Sequence, residues 1–159
     1  MKYEIAKTIG EEILEKIKPY VIKGKIAGSI RRKKPEVHDI DLVIIPIGEF
    51  MMMEGIKKIL RSYGIIEMEG SQIIRVQGKN DEVIDCYIAN DKSYEVLVLI
   101  RTGSAHHNIQ LAKRSLSLGM KLDFSKGLID RNSGKVIANT EKSIFSALNM
   151  TYVEPENRN

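Results

Sequence analysis

Between positions 28 and 41 the chain reads Gly28-Ser29-Ile30-Arg31-Arg32-Lys33-Lys34-Pro35-Glu36-Val37-His38-Asp39-Ile40-Asp41. A Gly-Ser pair that ends an apolar run lets backbone N–H groups and a hydroxyl come close to phosphate oxygens. Two arginines follow at once, and a guanidinium is the side chain best shaped to fix a phosphate in one geometry. Asp39 and Asp41 stand two apart, so on a strand both carboxylates lie on one face. Neighbouring carboxylates repel each other unless a cation sits between them. Oxygen donors of this kind suit Mg2+, which keeps water and substrate phosphates as its other ligands. Asp85 is the candidate third acid, because it lies among Val83, Ile84 and Tyr87, where an ionised carboxylate is costly unless paired or metal-bound. Three carboxylates can hold two divalent metals, Mg2+ or Mn2+, one lowering the pKa of an attacking hydroxyl and the other clamping a triphosphate. Blander readings compete: a strand-edge acid pair with no ligand, a solvated Arg31 to Lys34 run, and a buried Asp85 paired with an arginine.

The surrounding pattern supplies elements to position these groups. Ile5, Ile9, Ile13 and Ile17 recur every fourth residue and predict an amphipathic helix with one buried isoleucine stripe. Val21 to Ala27 reads as a strand broken by Gly28-Ser29, and Ile30 to Lys33 as a helical turn. Ile40 to Ile45 reads as a buried strand with acids at its start, and Phe50 to Ser62 as a helix in which Met51, Met52 and Met53 pack. Strands are expected at Ile65 to Met68, Ile73 to Gln77 and Val83 to Ala89, the last after a Gly78-Lys79-Asn80-Asp81 turn. Asn90 to Ser93 is a seam. Beyond it, Tyr94 to Ile100 is strand or helix by periodicity alone. Ser104 to Leu118 reads as a helix stopped by Gly119. Leu122 to Phe124 and Leu128-Ile129 are short strands, and Asp130 to Gly134 is a hairpin turn into Val136-Ile137. Thr140 caps a last helix. The fold class is therefore α/β (α+β), with a lobe over residues 1–92 and a smaller helical and hairpin lobe over residues 93–159.

Length and composition set the outer bounds. The chain has 159 residues, 43% of them hydrophobic and 29% charged, enough for a packed core and unlike a disordered chain. The net charge of +4 is compatible with a polyanionic partner. The single cysteine, Cys86, excludes a disulfide framework; it reads as a small buried filler in a reducing, intracellular compartment. No signal peptide is expected, and no apolar run approaches the ~20 residues of a membrane span.

Gly-Ser, Arg-Arg and the Asp-x-Asp strand at this spacing resemble the signature of polymerase beta-like nucleotidyltransferases. Arg101-Thr102-Gly103-Ser104 with Asn108, and Thr140 to Phe145 with Tyr152 to Arg158, resemble the corresponding stretches of family X DNA polymerases, specifically the smallest, two-lobe viral members. The resemblance implies a nucleotidyltransferase palm with a mixed sheet followed by a thumb-like domain. It implies a monomeric DNA-directed DNA polymerase that binds gapped or primer-template DNA and nucleoside triphosphates and fills short gaps in repair. Asp39, Asp41 and Asp85 would be the catalytic acids and the ligands of two Mg2+ or Mn2+ ions. Gly28, Ser29, Arg32 and His38 would surround the triphosphate, Thr102, Gly103 and Asn108 the sugar and base, and Lys113, Arg114 and Arg158 the DNA backbone.

Several positions depart from that family's pattern. Ile100 and Arg101 replace an aromatic pair where the sugar is checked, His38 replaces a glycine, and Ala112 replaces an arginine that judges base-pair geometry. The length leaves no room for a lyase domain or a further DNA-gripping domain, so lyase activity is expected to be absent. His106 and His107 are expected to face solvent or the nucleotide rather than a metal. Two other classes stay open: a nucleotidyltransferase with an RNA, small-molecule or protein acceptor, and a non-catalytic nucleotide-binding module.

Overall fold

The structure, a computed structural model, describes residues 1–48 and 50–159. Helix α1 (Tyr3–Ile17) leads through a 3-10 turn into β1 (Val21–Ile26), the short helix α2 (Gly28–Arg31) and β2 (Asp39–Pro46). Helix α3 (Phe50–Arg61), then β3 (Gly64–Glu69), β4 (Ile73–Gly78) and β5 (Val83–Ile88) complete the first lobe. Its sheet runs β1-β2-β5-β4-β3, with β2 and β5 parallel and the other pairs antiparallel. Helices α4 (Tyr94–Thr102) and α5 (Ala105–Ser117), strands β6 (Met120–Asp123), β7 (Gly127–Asp130) and β8 (Val136–Ala138), and helix α6 (Glu141–Ala147) follow. The small sheet is the antiparallel run β6-β7-β8.

Alternation along the central strands decides which face is covered. Ile40, Leu42 and Ile44 of β2, Ile74 and Val76 of β4, and Ile84 and Cys86 of β5 form one core with α1 and α3. Burying each such isoleucine stabilises the fold by about 1.5–3 kcal/mol. Cys86 is indeed filler here, fully buried, its thiol pushed up to about 12 by that burial. The buried stripe of α1 is Ala6, Gly10, Ile13 and Ile17, while Ile5 is exposed. The isoleucine stripe fails there because a strict four-residue repeat drifts about 40° per step around a 3.6-residue helix. Met51, expected to pack, is likewise exposed, whereas Met53 packs against the core.

The second core joins Val96, Leu99 and Ile100 of α4 to Leu111, Leu122, Leu128, Ile144 and Phe145. The other side of α4 presents Val98 to Val43, Ile45 and Tyr87 of the large sheet. Apolar residues all round explain why periodicity alone could not type this segment. Ser104 caps α5 by accepting from the His107 N–H at 3.2 Å, and Thr140 and Ser143 form a reciprocal cap on α6. Among the described residues, no helix is long and apolar enough to cross a membrane.

Candidate active site

The second face of the large sheet is apolar where α4 covers it and charged beyond. Asp39 and Asp41 share this face with Val43 and Ile45 along β2. On β5 it carries Asp85 and Tyr87, and on β4 Arg75. Asp41 stands in register with Asp85, and Asp85 with Arg75, so one row crosses three strands. The two-apart spacing thus places the acids of β2 together, and the parallel β2–β5 pairing brings Asp85 beside them.

The electrostatics of the row follow from that crowding. Asp41 has its carboxyl pushed up to about 7, first by burial and then by the charges of Asp85 and Asp39. Asp85 is almost wholly buried and is held by Arg75, whose Nε donates to Oδ1 and Nη2 to Oδ2, each at 2.7 Å. Tyr87 donates its hydroxyl to Oδ2 at 3.3 Å. The buried-acid-with-arginine reading of Asp85 is therefore realised in the protein alone. Among the described residues, no three His, Cys, Asp or Glu side chains meet as a ready metal cluster. The donors nevertheless fit a hard divalent cation: all are carboxylate oxygens, and a cation would offset both the burial that raises Asp41 and the lesser repulsion from Asp85 and Asp39.

Beside the row lies a tight turn. The Ala27 N–H donates to the Asp41 carbonyl at 2.8 Å, and Gly28 follows at φ 59°. A Cβ on Gly28 would stand 1.9 Å from Asp41 Oδ2, so the chain approaches this carboxylate as only glycine allows. Arg32 donates through Nη1 to the Thr102 carbonyl, and its buried Nε has no partner. Burial draws the Arg32 pKa down, against the pull of Asp41. A Cβ on Gly103 would lie 3.1 Å from Arg32 Nη1, so the Gly28-Ser29 turn and the Thr102-Gly103 end of α4 meet at this guanidinium.

The structure sorts the remaining expected residues. Thr102 is fully buried; its hydroxyl donates to the Val98 carbonyl at 2.5 Å and accepts from Arg31 Nη1 at 2.9 Å. Its side chain braces α4 and has no free face for a sugar. Asn108 donates from Nδ2 to the Ile100 carbonyl at 2.8 Å, while its buried Oδ1 has no partner. His38 is exposed, as are Lys113 and Arg114, although Arg114 Nε also donates to the Leu148 carbonyl at 3.0 Å.

Arg158 corrects the sequence reading. It is fully buried, with Nη1 donating to Glu141 Oε1 at 2.6 Å and Nε to the Val153 carbonyl at 2.9 Å, so it cannot reach a DNA backbone. Of the pair replacing the aromatics, Ile100 belongs to the second core, and Arg101 is exposed with its guanidinium 4.1 Å over the Tyr87 ring. His107 does not face solvent either. It is buried against Phe145, and that burial pulls its pKa down to about 4.

Sequence reasoning missed Arg75, and it missed Glu141, which accepts from both Arg31 and Arg158. The one signal for Arg75 was a lone cation in the otherwise apolar run Ile73-Ile74-Arg75-Val76. Tyr87 and Arg101 also line a cleft of about 740 Å3 between the sheet and the β6 end, together with Gln72, Asn90, Lys121 and Phe124.

Comparison with known proteins fits this geometry. No curated protein matches the chain by sequence. A ternary P/T complex of Leishmania infantum polymerase beta superposes with a TM-score of 0.83 at 20% identity, covering 100% of this chain and 76% of that one. A ternary gap complex of the same polymerase gives 0.85 at 19% identity, covering 100% and 70%. Residues 97–159 match the family model of the DNA polymerase beta thumb. The chain thus has the polymerase beta fold along its whole length, and its C-terminal residues 97–159 are similar to the thumb of that polymerase.

Proposed function

We propose that the protein is a DNA-directed DNA polymerase that extends a primer 3′ hydroxyl and fills short gaps in DNA repair. Residues 1–92 serve as the palm and 93–159 as the thumb. The observation that carries this reading is the in-register row of acids beside the glycine turn at Gly28. Asp39, Asp41 and Asp85 would hold two Mg2+ or Mn2+ ions. When bound, those ions supply charge stabilisation to the hydroxyl and the phosphates. Arg32, the Ser29 hydroxyl and the backbone N–H groups of the turn receive the triphosphate and meet the negative charge of the departing pyrophosphate. Asn108 Oδ1, buried and unpartnered, is an acceptor left for a base edge. Lys113 and Arg114 are exposed cations for the DNA backbone. The gap complex of the Leishmania polymerase supports gapped DNA as the substrate.

The test is extension of a labelled primer across a one-nucleotide gap, with Mg2+ and each deoxynucleotide and ribonucleotide singly, and Asp85→Ala as control. Template-directed, metal-dependent extension that Asp85→Ala abolishes is the expected result. Absence of extension by folded protein that still binds triphosphate and Mg2+ would move the assignment to a transferase with another acceptor. Turnover retained by Asp85→Ala would remove that residue from the site.

A further inference from the structure

Asp85 is held more firmly than its two partner acids. Its carboxylate accepts from Arg75 at both oxygens, each at 2.7 Å, and from Tyr87 at one. Arg75 comes from the neighbouring strand, directly opposite in the antiparallel register, so the sheet itself sets the spacing of the pair. The side chains differ in exposure, 39% for Arg75 and 3% for Asp85, so a partly open cation holds a buried acid. A bidentate fork fixes the plane of a carboxylate and leaves further lone pairs on both oxygens.

Building on the proposed polymerase reading, we infer that Arg75 is a positioning residue that orients the Asp85 carboxylate for metal ligation and transfer. It acts through Asp85 and touches neither nucleotide nor reacting atom. Lysine can supply the charge but not the fork, so the orientation is specific to arginine. Groups that orient metal ligands typically account for about 10–100-fold in metal affinity or activity.

The experiment compares wild type, Arg75→Lys and Arg75→Ala, each checked for folding by circular dichroism. Mn2+ binding is titrated by electron paramagnetic resonance without nucleotide, and gap-filling kinetics are measured alongside. The expected result is Mn2+ binding weakened about 10-fold or more in both variants, and a comparable fall in kcat with little change in the nucleotide KM. Low-millimolar guanidinium should partly restore Arg75→Ala, and ethylammonium should not. Mn2+ affinity unchanged or tighter would overturn the inference, as would full activity in Arg75→Lys. If wild type binds Mn2+ but extends no primer, the polymerase reading fails while the metal titration still decides the role of Arg75. If wild type binds no Mn2+, both fail.

Discussion

Glu141 is the residue whose removal should most disturb the joint between the two lobes. Oε1 accepts from Arg31 Nη1 at 2.9 Å and from Arg158 Nη1 at 2.6 Å, and Oε2 accepts from Arg31 Nη2 at 2.8 Å. The side chains are 9% exposed for Glu141, 13% for Arg31 and none for Arg158. Glu141→Ala therefore leaves two buried guanidinium groups without their shared anion. Removing one partner of a buried pair costs about 3–5 kcal/mol, and here two cations are orphaned. For a chain of this size each kcal/mol lowers the melting temperature by roughly 2–4 °C, so a fall of roughly 10 °C is expected. Urea denaturation at neutral pH reads the effect directly, with an unchanged m-value showing that the cooperative unit is preserved. A loss below about 1 kcal/mol would refute the reasoning, because it would mean that the triad is solvated as an ordinary surface pair is. Replacing all three members by apolar residues of similar volume should cost much less than Glu141→Ala alone. The pH dependence has a definite sign. Burial raises the Glu141 pKa, but the hydrogen bonds from Arg31 and the charge of Arg158 outweigh it and hold the group below its usual 4.5. Its stabilisation is thus present above that value and is lost as pH falls through the folded pKa.

Two further predictions concern the acid row. Gly28→Ala should cost about 1–2 kcal/mol for the left-handed backbone alone and, by forcing Asp41 aside, should abolish Mn2+ binding measured by titration; unaltered binding would contradict the close approach. Asp41 has the opposite sign from a paired acid. With its pKa raised from 3.8 to about 7, the metal-free fold binds the proton more tightly than the unfolded chain does. This group's contribution to stability therefore falls as pH rises through that window, by up to about 4 kcal/mol. Mg2+ should restore more melting temperature at pH 8 than at pH 6, and an equal effect at both would count against a raised Asp41.

The acids were legible because strand alternation is local: spacing alone puts Asp39 and Asp41 together, and the apolar neighbours of Asp85 announce a buried charge. The strand, turn and helix boundaries near Gly28, Ser104, Gly119 and Thr140 were legible through their caps and breakers. What escaped depends on which strands become neighbours. Nothing near Arg75 in sequence says that it will face Asp85, since that follows from the antiparallel β4–β5 register. Arg158 reads as a tail cation until the C-terminal segment folds back on Glu141 and Phe145. Ile100 and Arg101 are adjacent in sequence, yet the helical turn sends one into a core and the other to the cleft.

The central strand pair is parallel, and its partners lie far apart in the chain. A hairpin could not join them. Helix α3 and strands β3 and β4 must all be threaded between the two halves of the row. Pairing so remote in sequence has to offset a large loop-closure entropy before it gains contacts, which places it among the slow events of folding. The acids therefore become neighbours only when the longest connection has closed. On a ribosome, Asp39 and Asp41 emerge well before Asp85, so the nascent chain carries no assembled metal site until the sheet is essentially whole.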